Sequence, residues 1–250
     1  MRRPSLRFAT ALGLLVSFHA GAAELTVSAA ASLTNAFKEI GPLFEAQHPG
    51  TTVRFNFGAS GALLQQIAKG APADVFASAD QESMDQAQAQ SLVKASERRN
   101  FVSNSLVVVV PTGNAPVPGA LGDLAHAPYA RIAIGLPASV PVGRYAKGVL
   151  EKAGLWSAVE PKMIGANNVR QALDYVSRGE VDAGFVYRTD AALVADKVKV
   201  ALTVPTEVPV LYPIAPVAGS SHAAAAGKFV AFVLTPPAQA VFAKYGFGTP

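Results

Sequence analysis

The sequence predicts an α/β protein in two lobes, each a mixed, mostly parallel sheet flanked by helices, joined by a double-crossing hinge. Three observations carry this. Short apolar or β-branched runs alternate with helical periodicities along most of the chain, the pattern of parallel strands joined by crossover helices. Two such units follow one another, one over residues 24–103 and one over residues 104–212. The remaining segment, residues 213–250, carries two helical stretches and no sheet of its own. Packed on the first unit, that segment makes the chain pass between lobes twice, a hinge suited to closing on a ligand.

Taken in order, residues 25–28 form a strand. The helix after it places Leu33, Phe37, Ile40 and Phe44 at steps of four, three and four, one face of an α-helix. Residues 53–57 form a second strand, and the next helix carries Leu63, Leu64, Ile67 and Ala68 on one face and ends at Gly70. A short strand at 74–77 leads to a helix from about Gln81. Residues 106–110 are a continuous apolar run, as suits a strand buried on both faces. A loop rich in Pro and Gly follows, then a strand at 131–134 and a helix from about Val142 that ends before Gly154. Residues 162–164 and 183–187 read as strands. Between them lies a helix with Val169, Leu173 and Val176, ending before Gly179. Residues 223–234 and 237–244 read as helices, the second opened by proline.

Residues 1–22 read as a secretory signal: Arg2, Arg3 and Arg7, then an uncharged run from Phe8 to Phe18, then the small residues Ala20, Gly21 and Ala22. Such a run is too short for a bilayer, which needs about 20 residues. Cleavage falls after Ala22 or Ala23. Removing the three leader arginines from 21 basic residues leaves 18 against 17 acidic ones. A nearly neutral mature chain offers no electrostatic reason for a nucleic-acid or membrane-surface partner. The chain has no cysteine, which excludes thiolate catalysis and Cys-ligated metal.

Ligands of parallel sheets sit beyond the C-terminal strand ends. Four of those ends share one composition: Ala29 to Asn35, Phe57 to Ala62, Pro137 to Gly143, and Gly165 to Val169 are small, neutral and followed by a helix. Helix N-termini present unsatisfied N–H groups to anions, and Ser32 and Ser60 add hydroxyls. Each serine could equally be a plain N-cap, and Val142 and Val169 could contribute only backbone. None of the four segments holds Asp or Glu. An all-donor pocket suits a fully deprotonated dianion, whereas protonated phosphate also needs an acceptor. Hydrogen bonds to a charged group contribute about 1.5–3 kcal/mol each. About six would exceed the roughly 8–12 kcal/mol of a micromolar to nanomolar site, so desolvation and closure can be covered without a buried cation.

Several motifs, in order along the mature chain, resemble those of periplasmic molybdate-binding proteins, a family of type II periplasmic binding proteins serving ABC importers. They are Ala29-Ala30-Ala31-Ser32-Leu33-Thr34-Asn35-Ala36, Gly70-Ala71-Pro72-Ala73-Asp74-Val75-Phe76 with Ser78-Ala79-Asp80, Asn104-Ser105-Leu106-Val107-Val108-Val109, Pro141-Val142-Gly143-Arg144-Tyr145-Ala146, Gly184-Phe185-Val186-Tyr187 and Lys244-Tyr245-Gly246-Phe247. The resemblance implies binding of molybdate or tungstate between the lobes by neutral donors, with no cofactor, no bare metal cation and no chemical step. Ser32 and Ser60 would each supply a hydroxyl and an N–H, Val142 and Val169 backbone N–H groups, and Tyr187 its phenol. Asp74 and Asp80 would be structural. The implied setting is the periplasm, with an inner-membrane ABC permease as partner and a monomeric state.

The chain departs from the family where Gly58, Ala59 and Gly61 stand in place of serines found in some members. Arg144, Arg170 and Arg188 each lie within two residues of an expected contact and are expected at the rim or in solvent; one of them reaching the anion would undo the neutral-donor account. Sulfate, smaller than molybdate, is the alternative ligand. A serine hydrolase would need a glycine where Ala62 ends the elbow-like run Gly58-Ala59-Ser60-Gly61-Ala62, and a base that His48, His126 and His222 are not placed to provide.

Overall fold

The computed structural model describes residues 23–250; the leader lies outside the described residues. Strands β1 (Ala23–Ala30), β2 (Thr51–Gly58), β3 (Val75–Ala77), β4 (Arg99–Asn104) and β10 (Val210–Pro216) form one sheet in the order β2-β1-β3-β10-β4. Strands β5 (Leu106–Pro111), β6 (Ile132–Gly135), β7 (Met163–Ala166), β8 (Ala183–Tyr187) and β9 (Val198–Val204) form the other, in the order β7-β6-β8-β5-β9. In each sheet the first three strands are parallel and the fourth is antiparallel to both neighbours. Four of five strands therefore share a direction, and the inverted one, β10 or β5, is the strand that enters its lobe from the other.

The helices are α1 (Thr34–Gln47), α2 (Ser60–Ala68), α3 (Gln81–Ala89), α4 (Pro141–Lys152), α5 (Trp156–Val159), α6 (Val169–Ser177), α7 (Arg188–Ala192), α8 (Ala223–Val233) and α9 (Pro236–Lys244). Gly154 and Gly179, just past α4 and α6, have φ of +68° and +69°, the left-handed conformation that ends helices at glycine.

Strands β4, β9 and β10 and the short helices α5 and α7 had no counterpart in the periodicity reading. Strand β9 runs Val-Lys-Val-Ala-Leu-Thr-Val with five of its seven residues partly or fully exposed, and β10 contains two prolines, a composition that argues against an inner strand. Tertiary pairing overrides that signal, and the β4–β10 register shifts between Tyr212 and Pro213 to accommodate it. The strands place the crossings at Ser105 and between Val204 and Val210. The expected boundary at 212/213 thus falls inside β10, so residues 210–212 belong to the first sheet, as does Asn104 at the end of β4.

The C-terminal helices pack on the first lobe through aromatic rings. Phe37 of α1 meets Phe229 of α8 edge-on at 5.8 Å and Phe242 of α9 at 5.8 Å. Phe44 meets Phe229 and Phe232 at 5.2 and 5.5 Å. Pairs of this kind add about 0.5–1.5 kcal/mol each beyond area burial. In the second lobe, Leu106 to Val110 are at most 1% exposed, since β5 is flanked by β8 and β9 and faced by α4 and α6. Among the described residues no single helix is long and apolar enough to cross a membrane.

Candidate functional site

The parallel strands of the two sheets aim their C-terminal ends at each other. Ser32 lies in a 3-10 turn, Ala31–Leu33, between β1 and α1. Ser60 opens α2 after β2. Val142 follows Pro141 in the first turn of α4, after β6. Val169 opens α6 after β7, and Tyr187 ends β8. The structure brings all five of these residues to one small cavity whose lining residues are all uncharged. The third parallel strand of each lobe also contributes: β3 leads to Ala79, and the Tyr187 hydroxyl points at the Ala79 carbonyl at 3.5 Å, the outer limit of a hydrogen bond.

Each helix start leaves at least one N–H over. At α6, Asn168 accepts from the N–H groups of Arg170 and Gln171 at 2.9 and 3.1 Å. At α4, Val140 carbonyl oxygen accepts from Gly143 and Arg144 at 3.0 and 3.1 Å. At α2, Gly61 N–H donates across the cleft to Ser139 carbonyl oxygen at 3.0 Å. Among the described residues the N–H groups of Ser32, Ser60, Val142 and Val169 have no protein acceptor. These are the orphan donors of helix starts, carrying the positive end of the helix dipole.

The hydroxyls are held from behind. Ala79 N–H donates to Ser60 Oγ at 3.0 Å, and Ser32 Oγ lies 3.0 Å from Tyr212 Oη. Burial pushes the phenols of Tyr187 and Tyr212 well above their ordinary range, so both remain protonated. Tyr212, which stands behind Ser32 rather than in the cavity wall, was not legible because nothing in β10's sequence marks the strand as lying next to the pocket. The same holds for Ala79, which acts through its backbone.

The three arginines avoid the cavity, but two do not point to solvent. Arg144, in α4, pairs with Asp80 of the first lobe at 2.6 Å and donates to Ser83 Oγ at 2.7 Å. Arg170, in α6, pairs with the buried Asp190 at 2.6 Å and reaches across to Asn35 Oδ1 at 2.9 Å and the Ser32 carbonyl at 3.2 Å. Both therefore bridge the lobes. Arg188 donates to Thr203 Oγ1 on the surface of its own lobe. Burial raises the Asp190 carboxyl pKa against the opposing pull of Arg170. Asp80 caps α3 through Ser83 N–H at 3.2 Å. Asp74 accepts from Thr26 N–H at 2.7 Å and from Ser220 Oγ. Both aspartates thus have structural partners.

A larger concavity of about 880 Å³ lies beside the cleft, over α4 and the second crossing. Its walls carry charges of both signs, Asp80, Glu82 and Glu207 beside Arg144 and Lys152. No histidine lines the small cavity, so Ser60 has no base beside it. Among the described residues no group of three His, Asp or Glu side chains stands together as a cation site.

Residues 25–248 match the model of the family described as bacterial extracellular solute-binding protein. The molybdate-binding protein of Escherichia coli is 39% identical over 231 residues, 90% of this chain and 88% of that one. The solved periplasmic molybdate-binding protein of Azotobacter vinelandii superposes with a TM-score of 0.77 at 27% identity, covering 90% of this chain and 99% of that one. The sulfate-binding protein of Mycobacterium tuberculosis, at 22% identity, a TM-score of 0.81 and coverage of 90% and 86%, shares the fold. With two mixed sheets, a double crossing and a match over nearly every described residue, the chain belongs to the bacterial extracellular solute-binding protein family.

Proposed function

We propose that this protein captures molybdate, and tungstate as its near-isostere, between its two lobes and delivers it to an ABC permease. The supporting observation is the convergence of four orphan N–H groups and three hydroxyls on one uncharged cavity. Ser32 and Ser60 each offer a hydroxyl and an N–H, Val142 and Val169 an N–H, and Tyr187 its phenol. Every one of these is a donor, so the pocket is complementary to an anion that only accepts. Arg144 and Arg170 are occupied by carboxylates, which leaves the oxyanion held by neutral groups. The E. coli relative's ligand favours molybdate over other tetrahedral dianions. Export by the 1–22 leader to the periplasm, as a monomer whose lobes are joined at Ser105 and between Val204 and Val210, completes the reading. No chemical step is part of it.

Sulfate is the second reading, favoured by the narrowness of the cavity. Calorimetric titration of residues 23–250 with molybdate, tungstate, sulfate and phosphate separates the two. Tight molybdate and tungstate binding with weak sulfate and no phosphate response is the expected result. Tight sulfate binding with no molybdate response would sink the assignment.

A further inference from the structure

We infer that Tyr212 and Asn104, at the two crossings between the lobes, form a directional hydrogen-bond relay that makes Ser32 an obligate donor to the bound anion. The inference rests on the proposed function, because it concerns how that pocket selects its ligand. Its logic starts at Asn104, the last residue of β4. Asn104 Oδ1 accepts from Ser105 N–H at 2.9 Å. A backbone N–H can only donate, so the amide orientation is fixed and Asn104 Nδ2 faces the other way. Its two hydrogens go to Thr189 Oγ1 at 2.9 Å and Tyr212 Oη at 3.2 Å. Tyr212 therefore accepts from Asn104, and its single hydrogen is free for its other neighbour, Ser32 Oγ at 3.0 Å. Ser32 accepts in turn, which leaves its own hydrogen for the cavity.

The rings behind the relay hold it in place. Tyr212 is fully buried and packs edge-on against Tyr187, Phe247 and Phe101 at 5.8, 5.6 and 6.5 Å. The phenol cannot turn to solvent, and a buried hydroxyl keeps its partners. Ser60 is arranged the same way by a different donor, the N–H of Ala79. Both serine hydroxyls of the pocket are thus backed by a hydrogen-bond donor, and chains of this kind polarise each member toward the next. Asn104 also bonds Thr189 of the second lobe, so the relay is anchored on both sides of the hinge.

The test is a double-mutant cycle read by calorimetry: wild type, Tyr212→Phe, Ser32→Ala and the double variant, titrated with molybdate, or with sulfate if molybdate does not bind. Tyr212→Phe is expected to weaken binding roughly tenfold with Ser32 present, and by less than about twofold in the Ser32→Ala background, since a relay has no effect without its end. A purely structural role for Tyr212 predicts equal losses in both backgrounds. Equal losses, or an unchanged affinity of Tyr212→Phe, overturn the relay while leaving the proposed function standing. No wild-type binding of either anion overturns both together. Should Tyr212→Phe fail to fold, the same cycle with Asn104→Ala carries the same expectation and is overturned by the same two outcomes.

Discussion

The two lobes build their halves of the pocket from the same topology but with different chemistry. The first lobe presents Ser32 and Ser60, whose hydroxyls are backed by Tyr212 and by Ala79 N–H. The second presents Val142 and Val169, which offer only backbone, and one phenol. A hydroxyl can be deleted by substitution and a backbone N–H cannot. The lobes also differ in how their glycines are packed. A Cβ on Gly143 would lie 1.8 Å from the Gly135 carbonyl oxygen of its own lobe, whereas one on Gly61 would lie 2.7 Å from the Ser139 carbonyl oxygen of the opposite lobe. The first contact sets how α4 sits on β6; the second sets how far the lobes approach. Mutational sensitivity of binding should therefore concentrate in the first lobe, and sensitivity of folding at the glycine-packed junction of the second.

The largest expected effect tests the arginine bridges that join the lobes. Arg170→Met strands the buried Asp190, one oxygen of which already lacks a partner, and should cost about 3–5 kcal/mol of stability at neutral pH. Burial raises the Asp190 pKa and Arg170 opposes that rise, so removing Arg170 raises it further and favours the neutral carboxyl. A raised carboxyl contributes most below its unfolded value and loses that contribution as pH rises through the folded one. The Arg170→Met penalty should accordingly shrink in acid, as measured by denaturant unfolding across pH. A pH-independent penalty would mean that Asp190 is not the cause.

Next in size, Gly61→Ala should weaken anion binding by about 1–3 kcal/mol while leaving the ligand-free melting temperature near that of wild type, because the clash exists only between lobes. A matching loss of ligand-free stability would place the contact within lobe folding instead. Ser32→Ala and Ser60→Ala should each weaken binding by roughly 1–3 kcal/mol, with Tyr187→Phe weaker in effect because its ring stays. Unchanged affinity in all three would remove the pocket. The smallest effect is the sharpest check on the asymmetry. Val142→Ala and Val169→Ala should lower the melting temperature, both side chains being buried, yet change anion affinity by less than about 0.5 kcal/mol.

Much of this was legible along the chain. The helix from Gln81, the strand ending at Tyr187 and the helices closed by Gly154 and Gly179 were readable because their signals are local: an Asp80 cap, an apolar run, a glycine at the left-handed position. Ser32, Ser60, Val142 and Val169 lie in small neutral segments between a strand and a helix, a local pattern, whereas Tyr187 was singled out only through the resemblance to a family. Strands β4, β9 and β10 were not, because their identity comes from pairing partners far along the chain and β10 carries prolines that argue against it. Arg144 and Arg170 were expected at the rim or in solvent. Sequence spacing shows that a charge is near a pocket but not that Asp80 and Asn35, from the other lobe, stand ready to receive it.

The amino-acid order thus fixes the alternation of elements, the neutral donor character of the junctions and the near balance of charge over residues 23–250, all of which are properties of short segments or of composition. Which N–H groups remain unpaired, which way the Ser32 hydroxyl points, and how closely Gly61 meets Ser139 depend on contacts between residues as distant as Ser32 and Tyr212. Such contacts exist only once the two crossings have brought the lobes face to face, and they convert four generic helix starts into one pocket with a defined hydrogen-bond direction.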